Sequence, residues 1–393
     1  MGAVQLVGSS KSLAEELFGR EQIERARRYH RPLYGAFAVN SALGLALLAV
    51  LAFCSPGDDV YSWSDGWPWW ARALAFGGLV VTLPSLVRLP VGFWTGHVRE
   101  RRWGFSTQTA RAWLADRAKG LAVALVLTVP LLLGLVALAR ALPAVWPVPA
   151  AAGASLAVLS VGFVGPLVIE PLFNRYVPLA DPELAADLRA LAEHAGTPVR
   201  DVLVADASRR TRKVNAYVSG LGRTRRVVLY DTLLESAHRP EVRLVVAHEL
   251  GHRRAGHVLK GTLLGMAGAA GLVVVLWALL RWGELLDASS AAGPGDPRIA
   301  PFVLLLGAAL ELAGLPFSSA LSRRFEREAD GVSLELTRDP DVFEATHREL
   351  ALSNLADLDP PLLAYLALFS HPTPPERIAF GRRWRSARVT ATG

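Results

Sequence analysis

The most specific pattern in the sequence is the run His248-Glu249-Leu250-Gly251-His252, which follows apolar residues with helical spacing at 242–246. On a helix, positions i and i+4 lie on one face, so the two imidazoles can bind one zinc ion. The glutamate beside the first histidine is placed to hold a water on that metal and to take its proton during attack on a carbonyl. The competing interpretation is a solvated helix face that carries two histidines by chance.

A catalytic zinc site needs a third protein ligand and one open position. The extended pattern HExxHxxGxxH would place a third histidine at Val258 and a glycine at Ala255. The nearby His257 is displaced by one position, and we interpret it as a residue at a helix end or a membrane interface. The third ligand is therefore expected elsewhere in the chain.

Three acidic side chains follow the last long apolar segment. Glu326 and Asp330 are four residues apart and would share one face of a helix. Glu326 can bind zinc, while Asp330 can accept the outer ring N–H of a zinc-bound histidine. Glu328 would point elsewhere, which favours solvation or pairing with Arg324. Spacing alone keeps both Glu326 and Glu328 open as the ligand, and a charged helix beside a membrane needs no metal.

The composition indicates that these residues are carried by a membrane protein. The chain has 393 residues, of which 52% are hydrophobic and 20% charged, and its mean hydropathy is +0.30. Each of six apolar segments is close to the roughly 20 residues that cross a bilayer as a helix. They span residues 35–54, 71–89, 120–139, 148–169, 261–280 and 299–320. Buried helices of a large soluble protein are the alternative, and none of the six has the features of a signal peptide.

The connecting segments alternate in charge. Residues 1–34 and 90–119 each contain six Lys or Arg, whereas residues 55–70 contain none. The long segments after residues 169 and 320 are rich in arginine. The positive-inside rule therefore predicts that both termini and the candidate zinc residues lie on the cytoplasmic side.

The pattern predicts three parts: an N-terminal segment at 1–34, a membrane domain of four spans at 35–169, and a catalytic region at 170–393 that includes the last two spans. Within the catalytic region we expect a helix at 182–194 and a small β-sheet. Its predicted strands are Val202–Val204, Ala216–Val218 and Arg226–Tyr230, with Gly220 and Gly222 in a turn. The predicted fold is thus a multi-span α-helical membrane protein with a mainly α, zincin-like catalytic region.

The composition also limits the kinds of partner that the protein is expected to bind. The formal net charge is +7, and 38 of the 42 cationic residues are arginines, a bias typical of high-GC bacterial genomes. These arginines lie beside apolar segments, where anionic lipid is the expected partner and nucleic acid is not. The single cysteine, Cys54, excludes a disulfide framework and a four-cysteine metal site.

Several motifs together resemble the type I CAAX prenyl protease family of integral-membrane zinc metalloproteases. Besides the HExxH run, they are Asn215-Ala216-Tyr217 with Gly220, Phe325-Glu326 with Ala329-Asp330, Arg226–Leu234, Gly104–Thr109 and His371–Arg377. They occur in the order of the family and extend over about residues 30–380. The resemblance implies seven spans around a large chamber, whereas this sequence has six apolar segments.

The resemblance also assigns residues to roles. It implies that His248, His252 and Glu326 bind one zinc ion, that Glu249 is the general base, and that Asp330 supports a ligand. It further implies that Asn215 binds the extended substrate backbone, and that His371 and Arg377 contact the substrate or the oxyanion near the metal. The alternatives are that Asn215 caps a turn and that Arg377 is an ordinary surface arginine.

Two carboxylates in apolar surroundings are separate cases. An ionisable group in mid-span is costly and usually faces protein or water. We expect Glu311 to line a wet internal cavity or to pair with a neighbouring helix. Glu170 lies at a span end beside Pro171 and is given no special role.

The activity expected from the sequence is therefore a zinc-dependent, membrane-embedded endopeptidase of bacterial inner-membrane type. The resemblance implies C-terminal processing of prenylated CAAX proteins. General quality control of membrane proteins is an alternative activity, and a catalytically idle scaffold or transporter with the same fold is a further one. An idle protein would need neither an open metal site nor a base beside it.

Overall fold

The structure is a computed structural model that describes residues 13–392, except Leu221 and Ser290. The first twelve residues of the predicted segment 1–34 lie outside the described residues. The described chain is mostly helical and contains a small β-sheet ahead of the HExxH run. This agrees with the fold class predicted from the sequence.

The N-terminal half is helical. Its helices are α1 (Arg20–Phe53), α2 (Ser55–Ser62), α3 (Trp69–Val87), α4 (Leu89–Phe93), α5 (Glu100–Arg102), α6 (Ala110–Ala141), α7 (Pro147–Val164) and α8 (Glu170–Phe173). Two π-helical segments join neighbouring helices, at Trp94–Arg99 and Gly165–Ile169.

The C-terminal half contains the sheet and the helices of the catalytic region. In chain order they are β1 (Tyr176–Pro178), α9 (Pro182–His194), β2 (Asp201–Ala205), β3 (Ala216–Ser219), β4 (Arg226–Tyr230), α10 (Asp231–Ser236), α11 (Arg239–Arg254), α12 (His257–Leu279), α13 (Gly283–Ala288), α14 (Ala300–Thr337), α15 (Pro340–Ser353), α16 (Leu362–Leu368) and α17 (Pro374–Thr392). Short 3₁₀ turns lie at Ala207–Arg209, Gly222–Thr224 and Pro297–Ile299.

Six helical segments of the described chain are long and apolar enough to cross a membrane, as the sequence predicts. They are α1, α3, α6, α7 continued through α8, α12, and α14 with the 3₁₀ turn before it. Helix α14 has 38 residues, so it is about 57 Å long at 1.5 Å per residue. Because a bilayer core is only about 30 Å thick, α14 is long enough to cross it and to extend well beyond it.

The sheet has the strand order β1-β2-β4-β3. Strands β2 and β4 are parallel, whereas β1 pairs antiparallel with β2 and β3 antiparallel with β4. The three predicted strands are confirmed within one residue at each end. Strand β1 was not predicted, because three residues are too few to show an alternating pattern. Strand β3 lies at the edge of the sheet.

The sheet packs against α9 and α11. Leu184, Leu188 and Leu191 form the predicted apolar face of α9 and are at most 5% exposed. They pack in one cluster with Val227 and Val246, from β4 and α11 respectively. This core fixes α11, which carries the HExxH run, against the sheet.

Candidate active site

Helix α11 is delimited by clear local signals. The main-chain N–H of His238 donates to the Glu241 carboxylate at 2.8 Å, and Pro240 occupies the first turn. The helix ends at Arg254, and Gly256 adopts a left-handed conformation, with φ of +69°. Glycine adopts this conformation without strain. The chain therefore turns immediately after the HExxH run and enters α12.

Helix α11 lies unusually close to α14. A Cβ at Gly251 would lie 3.0 Å from both Cα and the carbonyl oxygen of Ala329. Glycine permits this approach, whereas a side chain at position 251 would push the two backbones apart. Because Gly251 lies between the two histidines of the run, the contact brings both imidazoles against the face of α14 that carries Glu326.

Three side chains converge where the two helices meet. One ligand-type atom from each of His248, His252 and Glu326 lies within 4.8 Å of the other two. The two histidine Nε2 atoms are 3.2 Å apart. They lie 3.3 Å and 3.2 Å from Oε2 and Oε1 of Glu326, respectively.

This donor set fits a metal ion. Glu326 is 4% exposed, yet its Oε2 is buried without a hydrogen-bond donor. A buried carboxylate oxygen without a donor is costly. Two imidazole nitrogens and one carboxylate around a common point form a donor set that zinc uses in catalytic sites.

The structure separates the two candidate glutamates. Glu326 points to the histidine pair, whereas Oε2 of Glu328 lies 3.1 Å from Nε2 of His257. Among the described residues, no hydrogen bond or ion pair joins Glu328 to Arg324, the pairing that the sequence suggested. His257 is the first residue of α12, which confirms the prediction of a helix-end residue. It is also buried and contacts His252, which the sequence did not predict.

Asp330 lies behind His248. Its Oδ1 is 2.9 Å from Nδ1 of His248, and Arg377 binds both oxygens of the same carboxylate. Asp330 is 1% exposed. Arg377 Nη2 is also 3.2 Å from His248 Nδ1. Two of the three guanidinium nitrogens of Arg377 are thus bound to Asp330. This distinguishes Arg377 from an ordinary surface arginine.

The charges at the site are strongly coupled. Burial lowers the pKa of His248, but the carboxylates of Asp330 and Glu326 outweigh burial and raise it to about 9. A proton and a metal ion therefore compete for this imidazole. Burial raises the pKa of Glu249 above its ordinary value, and attraction by the neighbouring histidines offsets this only in part. A carboxylate with a raised pKa is a stronger base than a solvated one.

His371 lies at the open side of the metal-ligand cluster. Its Nε2 is 3.3 Å from Oε1 of Glu326, while its side chain is 60% exposed. Ser370 Oγ lies 2.8 Å from His371 Nδ1 and fixes the ring. A cavity of about 520 Å³ beside the site is lined by Asn215, His371 and Arg377, among others.

Asn215 immediately precedes the edge strand β3. Its carbonyl oxygen accepts a hydrogen bond from the Tyr230 N–H at 3.0 Å, and its Oδ1 accepts one from the Ala216 N–H at 2.9 Å. Arg253 of α11 donates a hydrogen bond to the carbonyl oxygen of Val218 on the same strand. An edge strand beside a cavity can add an extended peptide by main-chain pairing.

The chain leading into β3 is held by the segment Gly104–Thr109. Ser106 and Thr211 form an isolated antiparallel bridge. The Arg212 N–H donates to the Phe105 carbonyl at 2.9 Å. Gly104–Thr109 belongs to the predicted membrane domain, so this part of the membrane domain helps to position the edge strand.

Glu170 has a role that the sequence did not reveal. Its carboxylate accepts hydrogen bonds from Ser219 Oγ at 2.9 and 3.0 Å, and Arg226 lies 3.3 Å away. The hydroxyls of Tyr176 and Tyr217 each lie 3.5 Å from it. Glu170 thus ties the end of the fourth membrane segment to the edge strand. These contacts join residues 6 to 56 positions apart, so no local pattern indicates them.

Glu311 does not pair with a neighbouring helix. Its side chain is exposed, and no hydrogen bond or ion pair joins it to another described residue. The alternative expectation, that Glu311 lines a wet cavity, stays a prediction.

Two family models match the chain. One, described as peptidase family M48, matches residues 178–385, more than half of the chain. The other, described as the CAAX prenyl protease N-terminal region with five membrane helices, matches residues 7–175. The described part of that range contains four of the candidate membrane helices.

Individual proteins are similar over most of the chain. An uncharacterized metalloprotease, YhfN of Bacillus subtilis, is 30% identical over 322 residues, covering 80% of this chain and 74% of the relative. CAAX prenyl protease 1 of Saccharomyces cerevisiae is 28% identical over 326 residues, covering 78% of this chain and 71% of the relative. The crystal structure of S. mikatae Ste24p has the same fold, with a TM-score of 0.81, 23% identity, and coverage of 96% of this chain and 97% of that chain.

The family match therefore covers the helices that bring the two histidines and the glutamate together, and the N-terminal match covers the membrane helices before them. The chain belongs to peptidase family M48 and is a membrane metallopeptidase that acts on peptides or proteins.

Proposed function

We propose that the metal is one zinc ion per chain, held by His248, His252 and Glu326. The observation that carries this proposal is the convergence of their donor atoms, together with the buried Glu326 oxygen that lacks a donor. Bound zinc supplies a Lewis acid for the peptide carbonyl and a water that ionises near neutral pH.

The other residues act on the substrate and its protons. Glu249, beside the histidine pair, takes the proton of the attacking water and returns it to the leaving amine. No nucleophilic side chain is needed, so no covalent enzyme intermediate forms. His371 is exposed and close to the ligand cluster, which supports contact with the substrate or the oxyanion.

Asn215 and Arg377 both line the cavity beside the site. Asn215 and the edge strand behind it bind the extended substrate backbone. Arg377 uses two nitrogens to hold Asp330, and Asp330 fixes the ring of His248. Its third nitrogen, Nη1, is the group that would reach the oxyanion. A cation at that position stabilises charge that develops in the transition state.

We assign three parts to the chain, at 1–34, 35–169 and 170–393. The two family matches meet between residues 175 and 178, which supports a division near residue 170. The alternation of cationic connecting segments supports a bacterial inner-membrane protein with both termini and the catalytic region on the cytoplasmic side. Anionic lipid is the partner of the arginines at the membrane edges.

The names of the relatives bear on the substrate. Several are named CAAX prenyl protease 1, which favours C-terminal processing of prenylated CAAX proteins. The Bacillus subtilis relative is named only as a metalloprotease. Together with the arginine-rich composition, this favours general quality control of membrane proteins as the second candidate. A catalytically idle scaffold would have no use for Glu249 beside the ligands.

A competition experiment distinguishes these functions. The full chain, purified in detergent with zinc, is incubated with a farnesylated CAAX peptide, its unprenylated twin and an unfolded protein. Glu249→Gln is the matched control, because the amide keeps the shape of the side chain but cannot take a proton. Mass spectrometry identifies the products.

We expect cleavage by the wild type and none by Glu249→Gln. Preference for the farnesylated peptide would establish CAAX processing, and equal or greater cleavage of the unfolded protein would establish general proteolysis. Equal cleavage by both forms would contradict the role of Glu249. If neither form cleaves any substrate, tightly bound zinc in the wild type would indicate that the mixture lacks the substrate, whereas a wild type without bound zinc would favour the idle scaffold.

A further inference from the structure

The two histidines of the HExxH run have different neighbours behind their rings. Nδ1 of His248 faces Asp330 and Arg377. Nδ1 of His252 instead lies 3.0 Å from Nδ1 of His257, and Nε2 of His257 lies 3.1 Å from Oε2 of Glu328. A continuous chain of contacts therefore runs from His252 through His257 to the Glu328 carboxylate.

The direction of the hydrogen bonds in this chain follows from the acceptors. Nε2 of His252 faces Glu326 and His248, so a metal ion at that point uses the Nε2 lone pair and Nδ1 carries the hydrogen. Nδ1 of His252 must then donate to Nδ1 of His257. His257 consequently carries its own hydrogen on Nε2 and donates it to Glu328, which can only accept as a carboxylate. Each ring nitrogen then has a partner of the correct type.

The ring of His257 is held rigidly. It stacks on Phe325 with a centroid distance of 4.1 Å and an interplanar angle of 13°. The residue is 5% exposed, and it begins α12 directly after the left-handed Gly256. Phe325 precedes the proposed ligand Glu326 on α14. The stack therefore connects the start of α12 to the helix that supplies the third ligand.

We propose that His257 and Glu328 are positioning residues for the metal ligand His252: they fix its tautomer and the orientation of its ring. This inference rests on the proposed zinc site and deepens it. His248 is supported from the core by Asp330, which is 1% exposed, whereas His252 is supported from the surface by Glu328, whose side chain is 47% exposed. Partners of this kind typically contribute about 10–100-fold to metal affinity.

The test measures zinc affinity of the full chain in detergent by competition with a chromogenic chelator. His257→Phe keeps the aromatic stack on Phe325 but removes both ring nitrogens. His257→Asn restores an acceptor near the position of Nδ1. Glu328→Ala removes the terminal acceptor, and Glu335→Ala is the matched control, an exposed glutamate on the same helix.

We expect the zinc dissociation constant to rise about 10–100-fold in His257→Phe and to recover in part in His257→Asn. Glu328→Ala should weaken binding by a smaller factor, and Glu335→Ala should leave it unchanged. Melting temperatures of the metal-free proteins identify any variant that fails to fold. Because Glu328 is partly exposed, its variant carries the test if His257→Phe does not fold.

Wild-type zinc affinity in both His257→Phe and Glu328→Ala would overturn the inference, as would wild-type affinity in Glu328→Ala alone if His257→Phe does not fold. Failure of the zinc site itself gives a different result. In that case the wild type would bind no stoichiometric zinc, or His248→Ala would bind it as tightly as the wild type.

Discussion

Replacement of Gly251 by alanine tests the close approach of the two helices that carry the metal ligands. The new Cβ would lie 3.0 Å from Cα and the carbonyl oxygen of Ala329, and 3.2 Å from Cβ of Val332. Carbon atoms normally pack at about 3.5–4.0 Å, so the helices must separate by roughly 0.5 Å. Overpacking costs about 1–3 kcal/mol, and the higher helix propensity of alanine returns about 1 kcal/mol.

The net loss of stability is therefore small, about 0–2 kcal/mol, but the displacement falls directly between His248 and His252. A misplacement of about 1 Å can reduce catalysis about 100-fold. We accordingly expect Gly251→Ala to lower zinc affinity and kcat about tenfold, while the melting temperature falls by only a few degrees.

The assay combines chelator competition, peptide cleavage and thermal unfolding in detergent. Gly314→Ala is the matched control, because a Cβ at Gly314 on α14 meets nothing within 4 Å. Zinc affinity and kcat within twofold of wild type in Gly251→Ala would refute the reasoning that this contact sets the ligand geometry.

Three further predictions concern contacts around the site. Asp330→Asn leaves Arg377 buried without its counter-charge, so we expect a loss of about 3 kcal/mol in unfolding free energy and weaker zinc binding. Thermal unfolding and chelator competition measure these two effects. Unchanged stability would contradict the pairing of Asp330 with Arg377. Glu170→Gln weakens the link from the membrane helix to Ser219 on the edge strand, so KM should rise several-fold with kcat nearly unchanged. Steady-state kinetics that show only a fall in kcat would contradict the role of Glu170 in positioning the edge strand. At Gly220 the backbone has φ of +81°, and the Cβ of an alanine would lie 2.3 Å from the carbonyl oxygen of Thr224. The melting temperature of Gly220→Ala should therefore drop markedly. An unchanged melting temperature would be inconsistent with the turn.

The elements of this fold with strong local periodicity could be predicted from the sequence. Six apolar segments of bilayer length, the α9 face and three strands all appear in the structure. The i, i+4 spacing of His248 and His252 also predicts their common face, because that relation depends only on helix geometry. Strand β1 was missed because its pairing with β2, rather than its own composition, makes it a strand.

The parts of the site that depend on packing between distant elements could not be predicted. Spacing leaves both Glu326 and Glu328 open as the ligand, although the family resemblance assigns Glu326. The approach of α14 to α11 at Gly251 is what places Glu326 beside the histidines. His257 lies one position before the place where the extended zinc motif has a histidine, so the motif does not predict its contact with His252. Glu170 acquires its partners from strands that follow it in the chain.

The most direct test of the proposed site is the metal content of the purified chain and two glutamine variants. Glu326→Gln removes the proposed carboxylate ligand, whereas Glu328→Gln keeps an oxygen that accepts from His257. Our account predicts one zinc ion per chain in the wild type and in Glu328→Gln, and little or none in Glu326→Gln. Stoichiometric zinc in Glu326→Gln, or its loss only in Glu328→Gln, would contradict the assignment of the third ligand.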